Sequence, residues 1–210
     1  MSTTREPRNI YIVGAQCTGK TTLVHELERQ FRLISRDLHI GEPRIISEVA
    51  RTVLSEHPIE PELIRSDQQQ SFNLQKLIFA AQVRAEEEAL ARAPWFLSDR
   101  SGFDALVYAK RYAGPEAADE MMLSAEWGKV RDRMAGSVIV VCEAGAPWLL
   151  DDGVRLMPED AEDWIRFHRL FCEMLDEAGL SYHVMPSDVT DLSERANLVI
   201  SLWRHLNVGG

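Results

Sequence analysis

Asn9-Ile10-Tyr11-Ile12-Val13-Gly14-Ala15-Gln16-Cys17-Thr18-Gly19-Lys20-Thr21-Thr22-Leu23 is the stretch that decides the fold. Its opening run, NIYIV, is short, β-branched and closed by a glycine, the pattern of a strand buried on both faces of a parallel sheet. Beyond the second glycine, Leu23, Leu27, Phe31 and Ile34 recur at helical spacing. Between strand and helix lies Gly-x4-Gly-Lys-Thr, a pattern that about one random chain in a hundred of this length carries by chance. Gly14 and Gly19 let the backbone turn sharply and bring its N–H groups onto phosphate oxygens. The helix that follows adds its positive N-terminal end. Gly14, Ala15, Gln16, Cys17, Thr18, Gly19, Lys20, Thr21 and Thr22 are therefore the expected binding residues for ATP with magnesium. Lys20 is expected on the β- and γ-phosphates, and the Thr21 hydroxyl on Mg²⁺. Cys17 reads as a small spacer whose backbone matters, although a helix N-terminus also lowers thiol pKa values.

Working outward, four further runs read as strands: Arg44 to Ser47, Trp95 to Ser98, Ser137 to Cys142 and Ser181 to Met185. Helical segments are predicted over about 48–56, 66–92, 102–113, 116–134, 159–178 and 191–206. Ser66 and Gln69 have capping-box spacing at the start of the longest, whose face is predicted to be Leu74, Leu77, Ile78, Ala81 and Ala85. Strands alternating with helices imply a parallel sheet covered on both sides, an α/β sandwich of three layers. No internal repeat or long linker divides residues 1–210, which read as a single domain with a lid region at about 144–169.

The chain has 210 residues, 45% of them apolar, and a formal charge of −10. That charge argues against nucleic-acid or anionic-membrane partners, which require a basic surface. No stretch reaches the roughly 18 apolar residues of a membrane span. The polar run Met1 to Arg8 leaves no room for a signal peptide before the first strand. Cys17, Cys142 and Cys172 are an odd, widely spaced set without metal-ligand spacing, which suits a reduced, cytoplasmic setting.

Parallel sheets bind ligands at the carboxyl ends of their strands, so Asp99 and Glu48 draw notice. Asp99 follows a buried strand and is a candidate for holding magnesium with Thr21; as a cap for the helix near Gly102 it would also fit. Arg100 beside it matches phosphate oxygens, or forms a salt bridge. Glu48 is expected across the cleft from the phosphate loop, accepting the proton of an attacking hydroxyl or positioning magnesium. Closing the site over a charged phosphoryl group calls for an arginine, and Arg155, Arg166 and Arg169 in the lid region are the candidates, Arg155 first. Lys20, Glu48, Asp99, Arg100 and Arg155 thus form the candidate catalytic set. No Asn/Thr-Lys-x-Asp guanine motif and no Ser-Gly-Gly-Gln signature occurs.

GAQCTGKTTL (14–23), ISEVAR (46–51) and LSDRSGFDALVYA (97–109) together resemble the nicotinamide-riboside-kinase-like group of P-loop proteins, whose best-known member is the kinase domain of a bacterial bifunctional regulator of NAD biosynthesis. DDGVR (151–155) looks like the start of that group's lid. SDVTDLSER (187–195) matches the loop that in such kinases packs near the adenine. Asp99-Arg100-Ser101 is similar to the Asp/Glu-Arg-Ser element of deoxynucleoside kinases. The resemblance implies a P-loop NTPase fold with a five-stranded parallel sheet of nucleoside- or nucleotide-kinase type, ATP as donor and a hydroxyl acceptor. Position alone makes Arg51, Gln68, Phe72, Gln75, Gln82, Phe103 and Asp104 candidate acceptor contacts. Two functions stay open: a kinase acting on a nucleoside or another small alcohol, and a nucleotide-binding switch or ATPase without an acceptor.

Overall fold

The computed structural model describes residues 6–147 and 158–208. In chain order its elements are β1 (Ile10–Val13), α1 (Lys20–Leu38), β2 (Arg44–Ile46), α2 (Val49–Glu56), α3 (Pro61–Ser66), α4 (Gln68–Leu90), β3 (Phe96–Asp99), α5 (Gly102–Tyr112), α6 (Pro115–Met122), α7 (Ala125–Ala135), β4 (Val138–Cys142), α8 (Ala161–Glu177), β5 (His183–Met185) and α9 (Leu192–Val208). All strand pairs are parallel, and the sheet order is β2-β3-β1-β4-β5. The fold is the α/β P-loop NTPase type with a kinase-like strand order.

Strand periodicity explains the layers. Tyr11, Val13, Phe96, Ile139 and Val141 enter one core, shared with α4, α5, α7 and α8. Ile10, Ile12, Leu97, Val138 and Val140 enter the other, covered by α1 and α9. Successive residues point to opposite faces, so a strand buried on both sides must be apolar throughout. Phe31, Trp95 and Trp203 meet in the second core with ring centroids 5.0 to 5.1 Å apart, tying α1, the residue before β3 and α9 together.

Strand and helix positions follow the sequence reading closely, with three corrections. The residue capping α4 is Asp67, whose carboxylate accepts from the Gln70 N–H at 3.0 Å; Ser66 instead closes the short helix α3, its hydroxyl donating to the Glu62 carbonyl. The expected 116–134 helix is two, because the Ser124 hydroxyl accepts from Trp127 N–H and starts α7 afresh. The buried face of α4 is not the apolar stripe expected: Leu77 is exposed, whereas Ser71, Gln75, Gln82 and Glu86 are buried with Leu74, Phe79 and Val83. Hydrophobic periodicity misses a buried face that carries polar side chains, here with Gln82 and Glu86 hydrogen-bonded inside the protein. No described helix is long and apolar enough to cross a membrane.

Candidate active site

β1 lies at the centre of the sheet between β3 and β4. Register pairs Ile12 with Asp99, so the loop leaving β1 emerges beside the end of β3. Gly14 leaves the strand at φ +123°, and a Cβ there would sit 2.8 Å from the Cys142 carbonyl oxygen of β4. Only glycine fits that turn. Cys17 (φ 58°) and Gly19 (φ 76°) make the left-handed turns that bring the loop onto the start of α1. Gly19 caps this 19-residue helix without a side-chain hydrogen bond, and its first turn has no acidic residue. Its leading N–H groups are thus uncapped at the positive end of the helix, an anion site by construction.

Lys20, 5% exposed, folds back on the loop, its ammonium donating to the Ala15 carbonyl and to the Thr18 hydroxyl at 3.2 Å. Burial, aided by the charge of Arg100, pulls it down to about 8 against the opposing pull of Asp99. The Thr21 hydroxyl donates to Asp99 Oδ2 at 2.6 Å. The other oxygen, Oδ1, is buried with no hydrogen-bond partner among the described residues. An orphaned carboxylate oxygen beside a threonine hydroxyl fits a hard cation held also by phosphates and water, the way proteins hold Mg²⁺. Asp99 does not cap α5. Ser101 does, and Asp104 three residues on accepts from its N–H (2.9 Å) and hydroxyl (2.8 Å).

Arg100 turns out of β3 at φ 78°, an uncommon conformation for a non-glycine residue, while its N–H still bonds to Ile12 of β1. The turn sends its guanidinium into the cleft. There it donates to Glu48 Oε1 at 2.6 Å, to Asp104 at 3.3 Å and to the Gly14 carbonyl at 3.4 Å. Arg100 is therefore a buried, paired cation and not a surface one. Glu48, the N-cap of α2, also accepts from Arg51 at 2.8 Å. Burial pushes the Glu48 carboxyl up, but the Arg100 charge and the Arg51 hydrogen bond outweigh it and hold it well below the usual carboxylate range.

Two hollows meet at this pair. One is lined by Cys17 to Thr22 together with Glu48 and Arg100. The other, about 780 Å³ with its mouth, lies among α2, α3, α4 and α5; it shares Glu48 and Arg100 with the first and adds Asp104 beside them. Of the expected acceptor contacts, Arg51, Gln75 and Asp104 line it. Gln82 instead donates to Glu86 and Ser98 beneath the sheet, Phe103 is fully buried core, Phe72 carries Lys76 over its ring, and Gln68 is exposed. Arg155 lies outside the described residues. Arg166 pairs with Glu162 and Asp163, and exposed Arg169 lines neither hollow.

Two braces escaped sequence reasoning. The Trp164 indole donates to the Gln16 carbonyl at 2.8 Å, and Arg195, 4% exposed, donates to the Thr18 carbonyl at 2.9 Å and to Cys142 Sγ. The phosphate loop is thus held from α8 and from α9. The one signal was Arg195 itself, a charge on the Leu192–Ala196–Val199 stripe that packs α9 on the sheet.

An AAA-domain family model (AAA_28) matches residues 9–195. No curated protein matches the chain. Among solved structures, a NadR protein in complex with NR superposes with a TM-score of 0.69 at 20% identity, covering 98% of this chain and 52% of that one. NadR with NAD and AMP-PNP follows at 0.65 and 17%, covering 98% and 50%. Deoxyadenosine kinase from M. mycoides with bound dATP gives 0.60 at 14% identity, covering 93% and 98%. At such identities the likeness is one of fold, and the chain spans about half the length of the NadR chains. The family match is of another kind, since it runs from the residue before β1 to the arginine that braces the phosphate loop: the chain belongs to the AAA-domain family AAA_28 and is a P-loop nucleotide-binding domain.

Proposed function

We propose that the protein is an ATP-dependent kinase that transfers the γ-phosphoryl group to a hydroxyl of a small acceptor, a nucleoside or a similar alcohol. One observation carries the reading: Glu48 and Arg100 line both the phosphate hollow and the adjoining cavity. A nucleotide switch has no use for a second, largely apolar hollow opening beside its phosphate site, whereas a kinase needs a place for its acceptor.

In this reading Lys20 and the uncapped N–H groups of α1 hold the phosphates. Thr21 and Asp99 would hold Mg²⁺, which when bound with the nucleotide neutralises phosphate charge. Glu48 accepts the hydrogen bond of the acceptor hydroxyl and orients it. The acceptor oxygen bonds to the γ-phosphorus as the bond to the bridging oxygen of ADP breaks. Glu48 is weakly basic, so it takes the proton late, which suits a loose transition state. Arg100 faces the charge on the transferring group.

The test is ADP release from ATP and magnesium across a panel of nucleosides, sugars and small alcohols. The right acceptor should raise release by orders of magnitude over basal hydrolysis, with an equal amount of phosphorylated product. Asp99→Asn should raise the magnesium requirement for every acceptor. Basal release throughout, with free phosphate as the only product, would transfer the protein to the switch class.

A further inference from the structure

Gln16 belongs to the phosphate loop by sequence, but its side chain does not stay there. The phosphate hollow is lined by Cys17 to Thr22 with Glu48 and Arg100, whereas Gln16 lines the larger cavity that adjoins it at that pair. Two helices hold it. Its carbonyl accepts from the Trp164 indole of α8, and its side-chain Oε1 accepts from the Tyr108 hydroxyl of α5 at 3.2 Å. Burial pushes the Tyr108 phenol up, so its proton stays in that bond.

With Oε1 occupied by the phenol, the NH₂ end of the amide is left for a ligand, and it can only donate. The residue is 2% exposed, and its amide nitrogen makes no hydrogen bond among the described residues. A buried donor without a partner costs free energy that a ligand oxygen recovers. Its surroundings say which oxygen. Tyr108 has the Arg100 guanidinium 5.6 Å from its ring centroid, and Arg100 in turn holds Glu48 at 2.6 Å. The amide therefore stands at the phosphate end of the cavity, among the groups that meet the atoms next to the reacting hydroxyl.

We infer that Gln16 is a specificity-determining residue for the acceptor: its amide N–H donates to a second hydroxyl of a sugar-like alcohol, close to the hydroxyl that receives the phosphoryl group. This moves the Gln16 side chain from the nucleotide to the acceptor. The inference rests on the kinase reading only in naming Glu48 and Arg100 as the reacting end of the cavity.

Adenosine, guanosine, cytidine, uridine and nicotinamide riboside serve as probes, each as the riboside and as its 2′-deoxy and 3′-deoxy forms. Titration calorimetry and ADP release are both read on the full chain. For a riboside that binds, loss of one of the two hydroxyls should weaken binding, and lower any kcat/KM, by about tenfold in wild type. In Gln16→Leu the riboside should fall to the level of that deoxy form, while the deoxy form changes by less than about threefold, because the partner of the hydroxyl is gone. The KM for the riboside should rise far more than the KM for ATP. Tyr108→Phe keeps the ring but releases Oε1, and should lose part of the same discrimination; it alone decides if Gln16→Leu does not fold. No bound riboside, equal binding of ribosides and deoxy forms by wild type, discrimination that persists in the variants, or equal losses for ATP and riboside in Gln16→Leu would each overturn the inference. ADP release separates the two proposals. Gln16-dependent discrimination in binding without stimulated release sinks the kinase reading and leaves this one standing. Stimulated release that ignores both hydroxyls and Gln16 does the reverse.

Discussion

Lys20 and Gly14 carry the residue-scale consequences. Burial brings the Lys20 ammonium down to about 8, so between that value and its ordinary 10.5 the unfolded chain holds more proton than the native one. Its contribution to stability is therefore lowest below pH 8 and rises with pH through that window. Phosphate charge pulls the other way and favours the ammonium. ATP binding at about pH 8.5 should then take up a fraction of a proton, and the uptake should fade toward pH 7. Calorimetry in buffers of different ionisation enthalpy reads it directly, and no uptake at pH 8.5 would separate Lys20 from the phosphates. Gly14→Ala puts a Cβ against the Cys142 carbonyl at a φ that L-residues avoid. It should cost about 1–3 kcal/mol in urea unfolding and abolish ATP binding. Binding at wild-type affinity would mean that the loop has room the geometry denies.

At the scale of elements, the phosphate loop is less a free turn than a strap tied to two helices. Trp164 ties it to α8 and Arg195 to α9, each through a backbone carbonyl. These bonds occupy the Gln16 and Thr18 carbonyls of the loop and fix its path at two points. Arg195→Ala should weaken ATP binding about tenfold or more while the fold persists, because a charge-assisted hydrogen bond contributes about 1.5–3 kcal/mol. Trp164→Phe should do less, since it deletes one neutral hydrogen bond and keeps most of the packing. Equilibrium dialysis with labelled ATP distinguishes the two. Equal, negligible losses would reduce both contacts to packing.

Across the whole molecule, one buried network joins the layers. Glu86 of α4 is fully buried and accepts from Tyr11 of β1 (2.8 Å), Arg133 of α7 (2.6 Å) and Gln82 (3.1 Å), which also reaches Ser98 of β3. Burial pushes the Glu86 carboxyl up, against the pull of these donors. Glu86→Ala would leave the Arg133 guanidinium and the Tyr11 hydroxyl without it, at a cost of about 3–5 kcal/mol. Replacing the pair together, as Glu86→Leu with Arg133→Met, should recover much of that loss. Urea denaturation of the three proteins decides the matter, and a single-variant loss below about 1 kcal/mol would show that the network contributes little.

Read alone, the sequence determined what depends on near neighbours. The five strands, the glycine loop and the stripe of α1 were legible because buried parallel strands, left-handed turns and helical periodicity are set within a few residues. The place of Asp99 at the end of β3 was legible from the strand itself, and the register Ile12 to Asp99 brings it to Thr21. Where a side chain goes after leaving its element was decided only by the tertiary structure. Gln68, Gln75 and Gln82 recur every seven residues and lie on nearly one line of α4, yet the first is exposed, the second faces the cavity and the third is spent beneath the sheet. The pairing of Glu48 with Arg100 joins residues 52 apart, and Arg195 reaches Thr18 across 177. Helical spacing fixes an angle around an axis; which cavity, strand end or loop stands at that angle depends on how the layers pack, and that lies outside any local window of the chain.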